Sequence, residues 1–207
     1  MPETNLMAEK ECQRVLPGDL AIWMFIFAEL TVFAIFFFSY SWMHSHNLEM
    51  FKAGQENLHP VAGLINTIAL ITSSYTVALS VFFAKQNKIQ LSWRLLSASL
   101  LIALIYVFTK SWEYSELINA GYGLSTNNFY MFYFFTTGFH FMHVLLGMLI
   151  LCIMTVRLRA LTVGDSVKDN RDTPLSENEM LNLESSASYW HMVDLLWILL
   201  FPLVYVL

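Results

Sequence analysis

Residues 117–156 contain no aspartate, glutamate, lysine or arginine. A run of 40 uncharged residues is about twice the ~20 that one helix needs to cross a bilayer. Its first dozen, LINAGYGLSTNN, hold Gly121, Gly123, Asn127 and Asn128 and read as a loop, so a helix starts near 129. The same test finds four more spans. Residues 20–43 carry one charge, Glu29; 61–84 carry none; 185–207 carry only Asp194. Residues 95–109 are charge-free but reach only ~22 Å at ~1.5 Å per residue. That helix must run on through Lys110 and Trp112, which places Lys110 and Glu113 near a membrane edge. The expected fold is an all-α integral membrane bundle of five transmembrane helices, roughly 19–43, 61–84, 93–116, 129–157 and 186–207, after an N-terminal segment 1–18. Composition agrees: 57% of residues are hydrophobic and 13% charged, against roughly 25% charged in soluble domains. A net charge of −5 offers no basic field for phosphate, so no nucleic acid is expected as partner. Cys12 and Cys152 form no CxxC pattern and no disulfide framework.

Lysine and arginine set the expected orientation. Lys10 and Arg14 precede the first helix, Lys85, Lys88 and Arg94 follow the second, and Arg157, Arg159, Lys168 and Arg171 follow the fourth. Only Lys52 and Lys110 fall on the other side. The N-terminus is therefore expected in the cytoplasm and the C-terminus outside. Glu3, Glu9 and Glu11 ahead of the first helix argue against a cleavable signal. In the acidic fourth loop, Ser176 and Glu179 have capping-box spacing, which predicts a short surface helix.

Charges and imidazoles at bilayer depth need a partner or a polar cavity. Glu29 lies near the middle of its helix among Phe25, Val32 and Phe33, so its partner must come from another helix. His140 and His143 share a helix face, which Gly147 continues as a point of close helix approach. His191 and Asp194 form a second such pair, in the inner third of the last helix. With Glu113 and Glu116 these make three ligand-like pairs at the i,i+3 spacing used in helix-bundle metal sites. The glutamates, however, lie more than ~20 Å in depth from Asp194 at ~1.5 Å per residue. Hydrogen bonding between helices is the simpler reading. The competing one is an intramembrane haem or metal protein using His140, His143 and His191. His44, His46 and His59 fall in the first external loop. The aromatic run 129–135 and most of the tryptophans sit near helix ends, where an interfacial belt is expected.

Two of these segments resemble a known family. Tyr189-Trp-His-Met-Val-Asp-Leu-Leu-Trp197 looks like the last-helix signature of subunit III of the haem-copper respiratory oxidases. Thr137-Gly-Phe-His-Phe-Met-His-Val144 resembles that subunit's Thr-Gly-Xaa-His-Xaa-Xaa-His-Val motif. Glu29 matches its membrane carboxylate, and Gly63-Leu-Ile-Asn-Thr67 and Trp112-Glu-Tyr114 are weaker matches. The resemblance implies a non-redox accessory subunit in the bacterial inner membrane. Such a subunit packs on the catalytic haem-copper subunit I, binds phospholipid and supports proton uptake. It implies no cofactor in this chain, with haem and metal in the partner. Glu29, Glu113, His140, His143, His191 and Asp194 become structural or proton-linked polar residues. The chain departs from seven-helix members by lacking two N-terminal helices, so their lipid cleft does not carry over intact. Its approach to the first helix, Leu16-Pro-Gly-Asp-Leu-Ala-Ile-Trp23, looks most like the nitric-oxide-reductase-associated branch. An assembly factor for such a complex is the remaining alternative.

Overall fold

A computed structural model describes residues 20–164 and 175–206. Segment 1–18 with Cys12, and the loop residues Lys168 and Arg171, fall outside them. The described residues form helices without strands: α1 (Leu20–His46), α2 (Leu48–Gln55), α3 (Pro60–Lys85), α4 (Ile89–Asn119), α5 (Asn128–Gly164) and α6 (Glu177–Tyr205). All but α2 are long and apolar enough to span a bilayer. This is the expected five-helix membrane bundle.

The helices outrun the apolar stretches that announce them. Once nucleated, a helix gains one hydrogen bond per added residue, inside the membrane or out. Thus α4 starts at Ile89 and α5 runs to Gly164. The surface helix expected at Ser176 is the first turns of α6 itself. Ser176 is its N-cap, but through its carbonyl, which accepts from the Glu179 N–H at 3.0 Å, and not through its side chain. His44 and His46 lie in the last turn of α1 and not in a loop. The extra helix α2 turns the chain between α1 and α3.

The buried face of α4 is Ser92, Leu96, Ser99, Ala103, Tyr106, Lys110, Glu113 and Leu117. These alternate four and three residues apart, the seam of left-handed helix packing. In α1, Ile26, Phe33 and Tyr40 repeat at the same seven-residue interval. Without a hydrophobic drive between helices in lipid, small and hydroxyl residues hold such seams. Between α3 and α4, the Ser80 and Ser92 hydroxyls meet at 2.8 Å, Ser73 donates to the Ser99 carbonyl at 3.1 Å, and Thr109 donates to Asn66.

Helix α6 is the hub, packing on α1, α3 and α5. It runs antiparallel to α3. Lys85 pairs with Glu184 at 2.8 Å, Ser74 bonds His191 at 2.6 Å, and the Trp197 indole donates to Thr67 at 2.9 Å. Gly147 lets α5 close on α6: a Cβ there would sit 2.8 Å from the Trp190 ring and 3.2 Å from Tyr189.

Candidate functional site

The most heavily bonded polar group is one the sequence places at a membrane edge. Lys110 is completely buried. Its ammonium donates to Glu113 Oε2 at 2.8 Å, to the Tyr205 hydroxyl at 2.8 Å and to the Tyr133 hydroxyl at 2.9 Å. All three of its protons are therefore used. The Tyr205 hydroxyl in turn lies 2.8 and 2.7 Å from the two Glu113 oxygens. Rings of Tyr114, Tyr133, Trp197 and Tyr205 stand 4.7–5.6 Å from the ammonium and add cation–π attraction. This knot ties α4 to α5 and α6. Hydropathy misses it because Lys110 ends the apolar run 95–109. The signal that finds it is periodicity: 110 and 113 continue the row that begins at 92. The seam also separates Glu113 from Glu116, which points away and pairs with His59 at 3.2 Å in an exposed contact.

Another pair joins α1 to α5. The His143 Nε2 stands 3.1 Å from Glu29 Oε2, so the partner of Glu29 does come from another helix. His143 Nδ1 lies 2.8 Å from the Phe139 carbonyl. A carbonyl only accepts, so Nδ1 carries a proton and donates it. Nε2 is the nitrogen left to meet the Glu29 carboxyl group, so the contact ties α1 to α5. Phe33 and Phe139 flank the imidazole at 5.6 and 4.7 Å.

His140, one turn back, is fully buried against Tyr106 at 5.8 Å and Trp197 at 5.3 Å. Neither of its ring nitrogens has a hydrogen-bond partner among the described residues. Asp194 is also buried, with Oδ1 unpartnered among the described residues. His191 differs: its Nδ1 is held by Ser74, but the residue lies on the outside of the bundle. The three histidines therefore do not share a site. His140 is sealed by rings, both nitrogens of His143 are engaged, and His191 faces outward. Among the described residues, no three His, Cys, Asp or Glu side chains are grouped to hold a metal ion.

The whole described bundle falls inside one family match. The family model for cytochrome c oxidase subunit III matches residues 7–207. The haem-copper oxidase subunit I+III of Aeropyrum pernix is 30% identical over 190 residues, which is 89% of this chain but 22% of that longer protein. Cytochrome c oxidase subunit 3 of Corynebacterium diphtheriae is 29% identical over 184 residues, 88% of this chain and 84% of the relative. A probable quinol oxidase subunit 3 of Staphylococcus saprophyticus is 26% identical over 192 residues, 92% and 89% of the two chains. With the family model matching residues 7–207, the chain belongs to the cytochrome c oxidase subunit III family.

Proposed function

We propose that this chain is the accessory subunit III of a haem-copper oxidase complex in the bacterial inner membrane, with no redox centre of its own. The observation that carries this is the family match across 7–207, joined by a relative that holds subunits I and III in one polypeptide. Electron transfer and gas reduction then belong to the catalytic subunit. This chain stabilises that subunit and supports its proton uptake and its lipid shell. The N-terminus lies in the cytoplasm and the C-terminus outside, supported by nine of eleven basic residues on one side.

Glu29, Glu113, His140, His143 and Asp194 act inside the bundle, as helix–helix ties and, at Glu29–His143, as a proton-linked pair. His191 acts at its surface. Lipid binding is assigned to a cavity of about 240 Å³ between α1, α5 and α6, with Ile22, Ile150 and Ile153 for an acyl chain and Arg157, Asn182 and Ser186 for a headgroup. The sequence before helix α1 favours a nitric-oxide-reductase-associated partner; oxygen against nitric oxide consumption by the purified complex decides it.

The test is purification of the tagged chain from its native membranes. The expected result is co-purification with a catalytic subunit whose haem spectrum is absent from the chain isolated alone. A stoichiometric Soret band from the isolated chain overturns the reading in favour of a haem protein. Absence of the chain from the active complex overturns it in favour of an assembly factor.

A further inference from the structure

Helix α6 is covered by α1 on one side and by α3 on the other, but α3 packs on α4 and α6 while α1 packs on α5 and α6. A strip of α6 is left open between them. It carries His191, Leu195, Ile198 and Leu199, all exposed and spaced as one helix face. Tyr75 of α3, next to the Ser74 that holds His191, is 61% exposed. His191 lies seven residues along α6 from Glu184, whose ion pair with Lys85 marks the charged rim of the bundle. That is ~10 Å deeper along the helix axis.

Acyl chains offer no hydrogen bonds, so an outward polar group at such depth is unsatisfied unless protein covers it. Elsewhere on the outer surface this problem is solved locally. Thr31 and Thr72 turn their hydroxyls back to their own helix carbonyls, at 2.8 and 2.7 Å. Outward rows on other helices are apolar, such as Leu101, Ile105 and Phe108 of α4. His191 does not turn back to its own helix: its Nδ1 is engaged by Ser74 of α3, while the residue itself is exposed. Beside it, Asp194 keeps a buried carboxyl oxygen without a partner among the described residues.

We propose that this open strip of α6 is the docking surface for one membrane-spanning helix of the catalytic subunit, which brings a hydrogen-bonding side chain to His191 Nε2. This rests on the accessory-subunit reading above. The exposed residues 191, 195, 198 and 199 span about two turns along one face of α6, a stripe that one crossing helix can cover. The fused relative, in which subunits I and III are one chain, supports that occupant.

The experiment places a photo-crosslinking amino acid at Leu195, or at Phe108 as the contrasting apolar position, in the complete complex in native membranes. The expected result is a crosslink from position 195 to a transmembrane peptide of the catalytic subunit, and lipid adducts alone from position 108. Crosslinking of position 195 only to lipid, to a second copy or to another subunit overturns the proposal, as does a catalytic-subunit crosslink from 108 in its place. A second arm needs no probe. His191→Leu should lower retention of the chain on the detergent-washed complex at least threefold, and His191→Gln should restore it. Equal retention of all three proteins overturns the proposal. If the chain is absent from the purified complex altogether, the accessory-subunit reading itself fails. If it co-purifies but docks through α4, only this inference fails.

Discussion

Two of the ion pairs in this bundle, Lys110–Glu113 and Glu29–His143, are built on opposite plans. Lys110–Glu113 is sealed: both side chains are at most 1% exposed, and two tyrosine hydroxyls complete the bonding. Glu29–His143 sits at the α1 edge, with 18% of the Glu29 side chain exposed and, among the described residues, no third side chain bonded to the carboxylate. Desolvating two charges costs several kcal/mol each, and only complete hydrogen bonding in good geometry offsets it. The sealed pair has that bonding and no room for change, so it fixes how α4, α5 and α6 meet. The edge pair has fewer bonds, at a longer 3.1 Å, and a partly exposed carboxylate. The first arrangement suits a fixed tie between helices; for the second we propose a responsive, proton-linked role.

The largest effect is expected from breaking the sealed pair on one side. Lys110→Ala leaves Glu113 buried without its cation, and the cost is about 3–5 kcal/mol. It should appear as a marked fall in the thermal midpoint of the complex, or as loss of the chain from it. The double variant Lys110→Met with Glu113→Leu removes both charges and keeps the volume, and should regain most of that loss. If the double variant is no better than Lys110→Ala, the pair is more than a mutual neutraliser.

Tyr205→Phe comes next. It removes the hydroxyl that links the two charges and leaves one Lys110 donor and the carboxylate each short of a bond, at a cost of about 1–3 kcal/mol. Thermal unfolding of the complex measures it. At the edge, Glu29→Leu strips His143 of its partner, and hydrogen bonds between membrane helices are worth about 0.6–2 kcal/mol. Assembly should weaken modestly, with a larger change in turnover than in stability. Unchanged turnover and assembly would make Glu29 dispensable and erase the contrast. The smallest effect is expected for Glu29→Gln, whose amide can still bond His143 but carries no ionisable carboxyl group. Its thermal midpoint should match the parent, and any change should be confined to the steady-state rate.

Much of this was legible in one dimension. The five spans followed from charge-free runs, since a bilayer core admits little else. Glu29 needed a partner from elsewhere because its own helix neighbours are apolar, and Gly147 marked a close approach that Trp190 and Tyr189 of α6 fill. The burial of Lys110 between helices was missed because hydropathy counts a lysine as a boundary wherever it stands. The heptad row from Ser92 to Leu117 contained the correction. The identity of its partners did not, because Tyr133 and Tyr205 lie 23 and 95 residues away.

The sequence by itself determined the class of molecule: charge spacing along the chain fixes which segments can leave water. It also determined the family, through motifs spread over all five spans. Tertiary structure alone decided which polar residues face one another. His143 finds Glu29, His140 is enclosed by rings, and His191, alike in chemistry and equally deep in a helix, points out of the bundle. Helix rotation makes that difference. One residue along an α-helix turns a side chain by about 100°, and only the packing of neighbouring helices determines whether that turn meets a partner, a wall of rings or an open face.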